Sequence, residues 1–149
     1  MNLIVKKANA NDVKKLTKLF DSYRVFYNQE SNLELAEVFL KERVEKDESV
    51  IFYVQNEKEE YLGFTQLYPS FSSVSAKSSW ILNDLFVDEN HRQKGIAKML
   101  MNQATQMAIK SGSKGIFLQT ALENKKAQTL YEELGYVKDE EFYSYFLSV

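Results

Sequence analysis

At 149 residues, with 44% hydrophobic and 13% aromatic content, the chain has the size and composition of a domain that buries about two-thirds of its unfolded surface without staples. A net charge of -2 gives no reason to expect nucleic acid or an anionic membrane as the main partner. The absence of cysteine excludes disulfides, thiolate metal sites and a cysteine nucleophile, and the single histidine, His91, excludes paired-histidine metal sites.

No apolar run is long enough to span a bilayer, and Met1–Lys7 lacks the apolar core of a signal peptide. The expectation is a cytoplasmic protein, one domain over 1–149, with no metal. Leu3–Lys7 reads as a first strand. Asn11 or Asp12 can cap a helix carrying Val13, Leu16, Leu19, Phe20, Tyr23 and Phe26 at helical spacing. Ser31-Asn32-Leu33-Glu34 has the spacing of a capping box, and a second helix follows with Leu35, Val38, Phe39 and Val44 on its apolar face. Val50–Val54 and Leu62–Tyr68 read as strands joined by the charged tip Asn56–Glu60. Pro69 offers no donor and should stop the second of them, leaving Ser70–Ser79 as a polar loop.

Trp80–Val87 is the next strand, followed by a polar turn and a helix with Ile96, Met99, Leu100, Ala104 and Met107 at helical spacing. Ile116–Thr120 reads as a strand, Asn124 as the cap of a helix through Leu134, and Tyr136-Val137 and Phe142–Leu147 as closing strands. The order β-α-α-β-β-β-α-β-α-β-β predicts an α/β (α+β) fold, a mixed sheet of about seven strands flanked by about four helices. The strand–helix–strand from Trp80 to Thr120 should be a parallel crossover, and ligands in such sheets bind beyond the carboxyl ends of the strands.

The turn at one of those ends carries the chemistry. A helix start has backbone N–H groups without partners and the positive end of the helix dipole, which together favour phosphate. Gly95 lets a bulky anion approach the backbone, and Arg92, Lys94 and Lys98 add positive charge. The pattern Arg92-x-x-Gly95-x-Ala97 resembles the coenzyme-A pyrophosphate loop of the GNAT superfamily of N-acetyltransferases. By itself such a pattern also fits a solvated basic turn; its place between strand and helix strengthens it. A second segment, Asn124-x-x-Ala127-x-x-Leu130-Tyr131-x-x-Leu134-Gly135-Tyr136, is similar to the later coenzyme-binding helix of the same superfamily. The predicted element order matches the GNAT fold along nearly the whole chain.

The resemblance implies direct transfer of acetyl from acetyl-CoA to a primary amine of a small molecule, peptide or protein. It implies that the backbone from Gln93 through Lys94, Gly95, Ile96 and Ala97 to Lys98 holds the pyrophosphate. Leu85 and Val87, with Phe86 between them, lie where strands of this family splay, and their backbone groups would pair with the pantetheine amides. Asn124 and Ala127 would contact the coenzyme, although Asn124 also reads as a plain helix cap. Tyr131 would be the general acid for the departing thiolate; on spacing alone it reads as a core tyrosine. Asn83-Asp84-Leu85-Phe86-Val87 looks like the polyamine and thialysine branch, but Asn83 stands where that branch carries a glutamate, and an amide cannot take a proton. Asp84 is then the nearest carboxylate for the acceptor ammonium or its proton, or else a surface or capping carboxylate. Tyr23 and Tyr27, at the end of the first helix, would line the acceptor pocket with Asn83, and Tyr68 and Phe71 with the serines around them would form the facing loop. His91 reads as a solvated turn residue. A non-catalytic acyl-CoA sensor of the same fold is the alternative, and homodimerisation, common in the superfamily, would find a surface on the aromatic closing strands. A nucleotide kinase fits less well, since the chain has no Gly-x-x-x-x-Gly-Lys-Ser/Thr.

Overall fold

The computed structural model describes residues 2–149, with residues up to Leu118 forming one compact unit and Gln119–Val149 a second. In chain order the elements are β1 (Ile4–Lys7), α1 (Val13–Phe26), α2 (Leu33–Glu45), β2 (Val50–Gln55), β3 (Tyr61–Ser72), β4 (Lys77–Val87), α3 (Ile96–Lys110), β5 (Ile116–Phe117) and α4 (Lys125–Glu133). Single-turn 3-10 helices precede α1 at Ala10–Asp12 and α3 at Glu89–His91. No helix among the described residues is long and apolar enough to cross a membrane.

The first unit is built on a sheet with strand order β1-β2-β3-β4-β5. Its first four strands are antiparallel neighbours, and β5 joins β4 in parallel after the α3 crossover. Strand side chains alternate between faces. Ile51, Tyr53, Phe64 and Phe86 therefore meet Val13, Leu16 and Phe20 of α1 and Ala36 and Leu40 of α2 in one core layer. Gly63, next to Phe64, faces the other way and meets α3. A Cβ there would come within 3.0 Å of Ile96 Cγ2 and 3.0 Å of the Phe86 carbonyl, so the missing side chain lets the start of α3 settle onto β3. Ile96, Leu100, Met101 and Ala104 form the buried stripe of that helix.

Several local expectations change. The entry to α1 is capped by Asn9, not by Asn11 or Asp12. Its side chain accepts from the Asn11 N–H, and Asp12 reaches back to the Asn9 N–H at 2.8 Å in a capping box one turn earlier. Asn32, not Ser31 of the expected capping box, caps α2 by accepting from the Leu35 N–H at 3.0 Å, because the Ser31 hydroxyl is turned to donate to Asp21 Oδ2 at 2.6 Å. The buried residues of α2 are Ala36 and Leu40, while Leu35 and Val38 are exposed. Pro69 does not end β3, which continues to Ser72 and forms a long hairpin with β4 where a polar loop was expected. The reason is the neighbour. β2 begins only at Val50, opposite Leu67, so Pro69 lies on an edge, and its partner Trp80 turns its own N–H to Gly115 of the β5 side. No ladder bond asks Pro69 for a donor. The sheet has five strands rather than about seven. β5 covers only Ile116–Phe117, and Tyr136-Val137 and Phe142–Leu147 form no strand among the described residues. Alternating aromatic residues supply strand propensity, but a strand exists only through a ladder partner.

Asp12 also anchors β2 and β3 to the start of α1. Tyr61 donates to its Oδ1 at 2.6 Å and Tyr53 at 3.0 Å. Burial would raise the Asp12 carboxyl, but hydrogen bonds from Tyr61, the Asn9 N–H and Tyr53 outweigh it and hold the group below 3.8. A depressed carboxyl contributes stability present above its unfolded value and lost as pH falls through its folded value. Tyr61→Phe should therefore cost about 1 kcal/mol at neutral pH. That cost should shrink in acid, once Asp12 is protonated. Urea unfolding of both proteins at neutral and strongly acidic pH measures the difference; an equal loss at both would detach Asp12 from the effect.

Candidate active site

The carboxyl end of β4 carries two linked features, a bulge and an open edge. Gln66 of β3 pairs with Asp84 but Leu67 pairs with Leu82, so Asn83 is an extra residue. It shifts by one which residues turn their backbone to β3. Before it, the Trp80 N–H faces β5; after it, the Asp88 N–H donates to Leu62 on the β3 side at 2.8 Å. By alternation Asp84 and Phe86 present their backbone to β3, and Leu85 and Val87 present theirs to the outer edge. The last β4–β5 pair is Ile81 with Phe117, so among the described residues that edge has no strand paired to it from Leu82 onward.

The turn after β4 leads into α3 with two left-handed residues, Gln93 at φ 62° and Gly95 at φ 78°. Left-handed residues at such a turn point successive N–H groups into one concavity that suits an anion. Gly95 is the N-cap of α3 and no side chain caps the helix. A Cβ at Gly95 would meet nothing within 4 Å, so the space before the helix start is open. Ile96 is buried and offers only its backbone there, while Lys94 and Lys98 are exposed. These are the properties a diphosphate and an extended amide-bearing arm require: unpartnered donors, room and an unpaired strand edge. His91 sits in the turn, with Nε2 3.8 Å from Asp88 Oδ2 and Nδ1 accepting from the Lys94 ammonium at 3.3 Å. Arg92, which opens the motif, turns its side chain back onto the Val87 carbonyl.

On the inner side of the bulge lies Asp84, only 2% exposed. Asn83 Nδ2 donates to its Oδ1 at 2.7 Å, Gln66 Nε2 donates to its Oδ2, and the Tyr23 hydroxyl lies 3.3 Å from Oδ1. Gln66 is held in turn by the Ser49 hydroxyl, which donates to its Oε1 at 2.8 Å. Burial raises the Asp84 carboxyl above its ordinary value, against the opposing hydrogen bonds from Asn83, Gln66 and Tyr23. Burial and then the Asp84 charge push the Tyr23 phenol up, so it remains a donor. The same two causes bring Tyr68 up to about 12, with Arg43 opposing. Tyr27 packs edge-on against Tyr23 at 5.1 Å. The structure thus brings together Tyr23, Tyr27, Asn83, Asp84 and Tyr68 around one buried carboxylate. Phe86 turns its ring into the α1 core. Gln66 was not among the predicted site residues; its signal was a lone amide inside the apolar run Leu62–Leu67.

In the second unit Asn124 is the cap of α4, accepting from the Ala127 N–H at 3.3 Å. Tyr131 lies on the same helix, its ring 6.1 Å from that of Tyr136. The Tyr136 N–H donates to the Tyr131 carbonyl at 3.0 Å, and burial, then Tyr131, raises the Tyr136 phenol to about 12.

Residues 14–136 match the model of the acetyltransferase (GNAT) family. The chain belongs to the GNAT family. A Bacillus subtilis relative described as an uncharacterised N-acetyltransferase, YhfO, is 47% identical over 145 residues, covering 97% of each chain. A probable acetyltransferase of Haemophilus influenzae is 36% identical over 98 residues, 66% of this chain and 67% of its own. The crystal structure of a probable acetyltransferase superposes with a TM-score of 0.92 at 39% identity, covering 100% of this chain and 98% of that one. This GNAT protein is an acetyltransferase, and the segment Asn83–Lys98 is where its fold and its motif coincide.

Proposed function

We propose that this acetyltransferase moves acetyl from acetyl-CoA directly to a primary amine of a small molecule or of a peptide or protein. The observation that carries the reading is the open β4 edge at Leu85 and Val87 running into the uncapped, side-chain-free start of α3 at Gly95. In this reading the amides from Gln93 to Lys98 seat the diphosphate, with Lys94 and Lys98 adding charge. Leu85 and Val87 pair with the pantetheine arm as an added strand would. Asn124 and Ala127 of α4 supply the remaining coenzyme contacts.

The amine is accepted beside Tyr23, Tyr27, Asn83 and Tyr68, aromatic and polar groups that suit an alkylammonium. An ammonium with a pKa near 10.4 must lose its proton at a cost of about 4–5 kcal/mol at neutral pH. Asp84 is the group for that task. The Asn83 amide, unable to take a proton itself, donates to Asp84 and orients it. Tyr131 then gives its phenolic proton to the departing thiolate. A base whose pKa is raised by burial loses activity as pH falls through that raised value, because the protonated form cannot accept. Asp84→Asn should lower kcat/KM about tenfold at neutral pH and remove this acidic limb from the pH profile. An unchanged limb would assign the proton transfer elsewhere.

The assay that tests the reading is free-thiol release from acetyl-CoA with a panel of polyamines, lysine analogues, amino acids and basic peptides. Thiol release that rises with an added amine supports it. Binding of acetyl-CoA with no transfer to any amine class would overturn it.

A further inference from the structure

The geometry points to Arg92 as a brace that positions the last turn of α1 for the acceptor amine, with its guanidinium serving that turn and not the phosphate seat. The inference rests on the proposed acetyl-CoA reading for which side of the site is which. The first residue of an anion-binding motif would be expected to aim its charge at the anion. Here the Arg92 guanidinium carbon lies 5.6 Å from the ring centroid of Phe26 and 5.6 Å from that of Phe86. Its Nε donates to the Val87 carbonyl at 3.1 Å. One planar cation thus joins the last residue of α1 to the end of β4, and the stacked fork with a donor at Nε is a geometry that lysine cannot reproduce.

What the brace holds is connected to the acceptor side. Phe26 and Phe86 are 6.1 Å apart, Phe26 meets Tyr27 at 5.2 Å, Tyr27 meets Tyr23 at 5.1 Å, and Tyr23 meets Phe86 at 6.1 Å. The four rings close a circuit, and the Tyr23 hydroxyl in that circuit lies 3.3 Å from Asp84. Phe26 and Tyr27 are both more than half exposed, so beyond the backbone bonds that close the helix their rings have little besides this circuit to hold them. Removing Arg92 frees Phe26, loosens the circuit and lets Tyr23 drift from the carboxylate. The phosphate seat keeps its amides, Lys94 and Lys98.

The test separates coenzyme affinity from amine recognition in Arg92→Ala, Arg92→Lys and Phe26→Ala. Coenzyme A binding is read by calorimetry. KM is read with the fastest acceptor among spermidine, lysine and a basic peptide. Amide hydrogen exchange over residues 23–27 is read in the unliganded protein. The brace predicts coenzyme affinity within about threefold of wild type in all three variants, an amine KM raised about tenfold, and faster exchange at the end of α1. Lysine should fail to rescue alanine, because charge is not the missing property. Loss of coenzyme affinity in Arg92→Ala restored by Arg92→Lys would make Arg92 a phosphate ligand and overturn the inference. So would unchanged exchange at residues 23–27. A wild-type protein that neither binds coenzyme A nor acetylates an amine would sink the functional reading alone, since the exchange measurement decides the brace without any ligand.

Discussion

Gly95→Glu is expected to abolish acetyl-CoA binding while leaving the protein folded. Two separate costs are involved. A side chain at φ 78° pays for a left-handed backbone, about 1–2 kcal/mol, which a domain of ordinary stability absorbs. No steric cost is added, because a Cβ at Gly95 meets nothing within 4 Å. Binding is another matter. The carboxylate would stand in the open space before α3, among the donors that the diphosphate needs. Like charges about 4 Å apart near a protein surface repel by about 4 kcal/mol, equivalent to about a thousandfold in affinity. Calorimetry with coenzyme A, alongside a thermal melt, checks both halves. A folded variant that binds within about tenfold of wild type would place the phosphate seat away from the start of α3.

Tyr131→Phe should cut turnover about a hundredfold with little change in coenzyme affinity. The ring stays and can keep its approach to Tyr136, so only the hydroxyl is lost. A group that protonates a leaving thiolate acts in the transition state and not in ground-state binding, so kcat should fall while the dissociation constant holds. Thiol-release kinetics and calorimetry on one preparation make the comparison. Unchanged turnover would remove Tyr131 from the mechanism.

The parts of this site that the sequence displays are the local ones. A strand running into a turn with Gly95 and then a helical stripe from Ile96 is written in consecutive residues, and the structure carries that unit as expected. The Asn124 cap is likewise short-range. What was illegible depends on neighbours distant in the chain. Pro69 stays in a strand because β2 happens to begin opposite Leu67. The bulge at Asn83 arises from register against Gln66 and Leu67, and nothing in Leu82-Asn83-Asp84 announces it. Gln66 matters only because that register sets it against Asp84. Arg92 carries the motif in sequence, but where its side chain lies is decided by Phe26, 66 positions earlier in the chain. The closing segments after Gly135 show the converse: residues suited to a strand, with no ladder among the described residues.

The extra residue in β4 makes register a functional variable here. Were Asn83 drawn into the ladder as an ordinary member, the segment beyond it would resume simple alternation with Trp80, and the peptide groups of Leu85 and Val87 would swing inward to β3 while those of Asp84 and Phe86 swung out. Not one residue would change, yet the face offered to an incoming acyl carrier would be the wrong one and the buried acid would be displaced with it. Losing Asn83 outright is milder in this respect, since Asp84 would follow Leu82 directly and keep its side of the ladder.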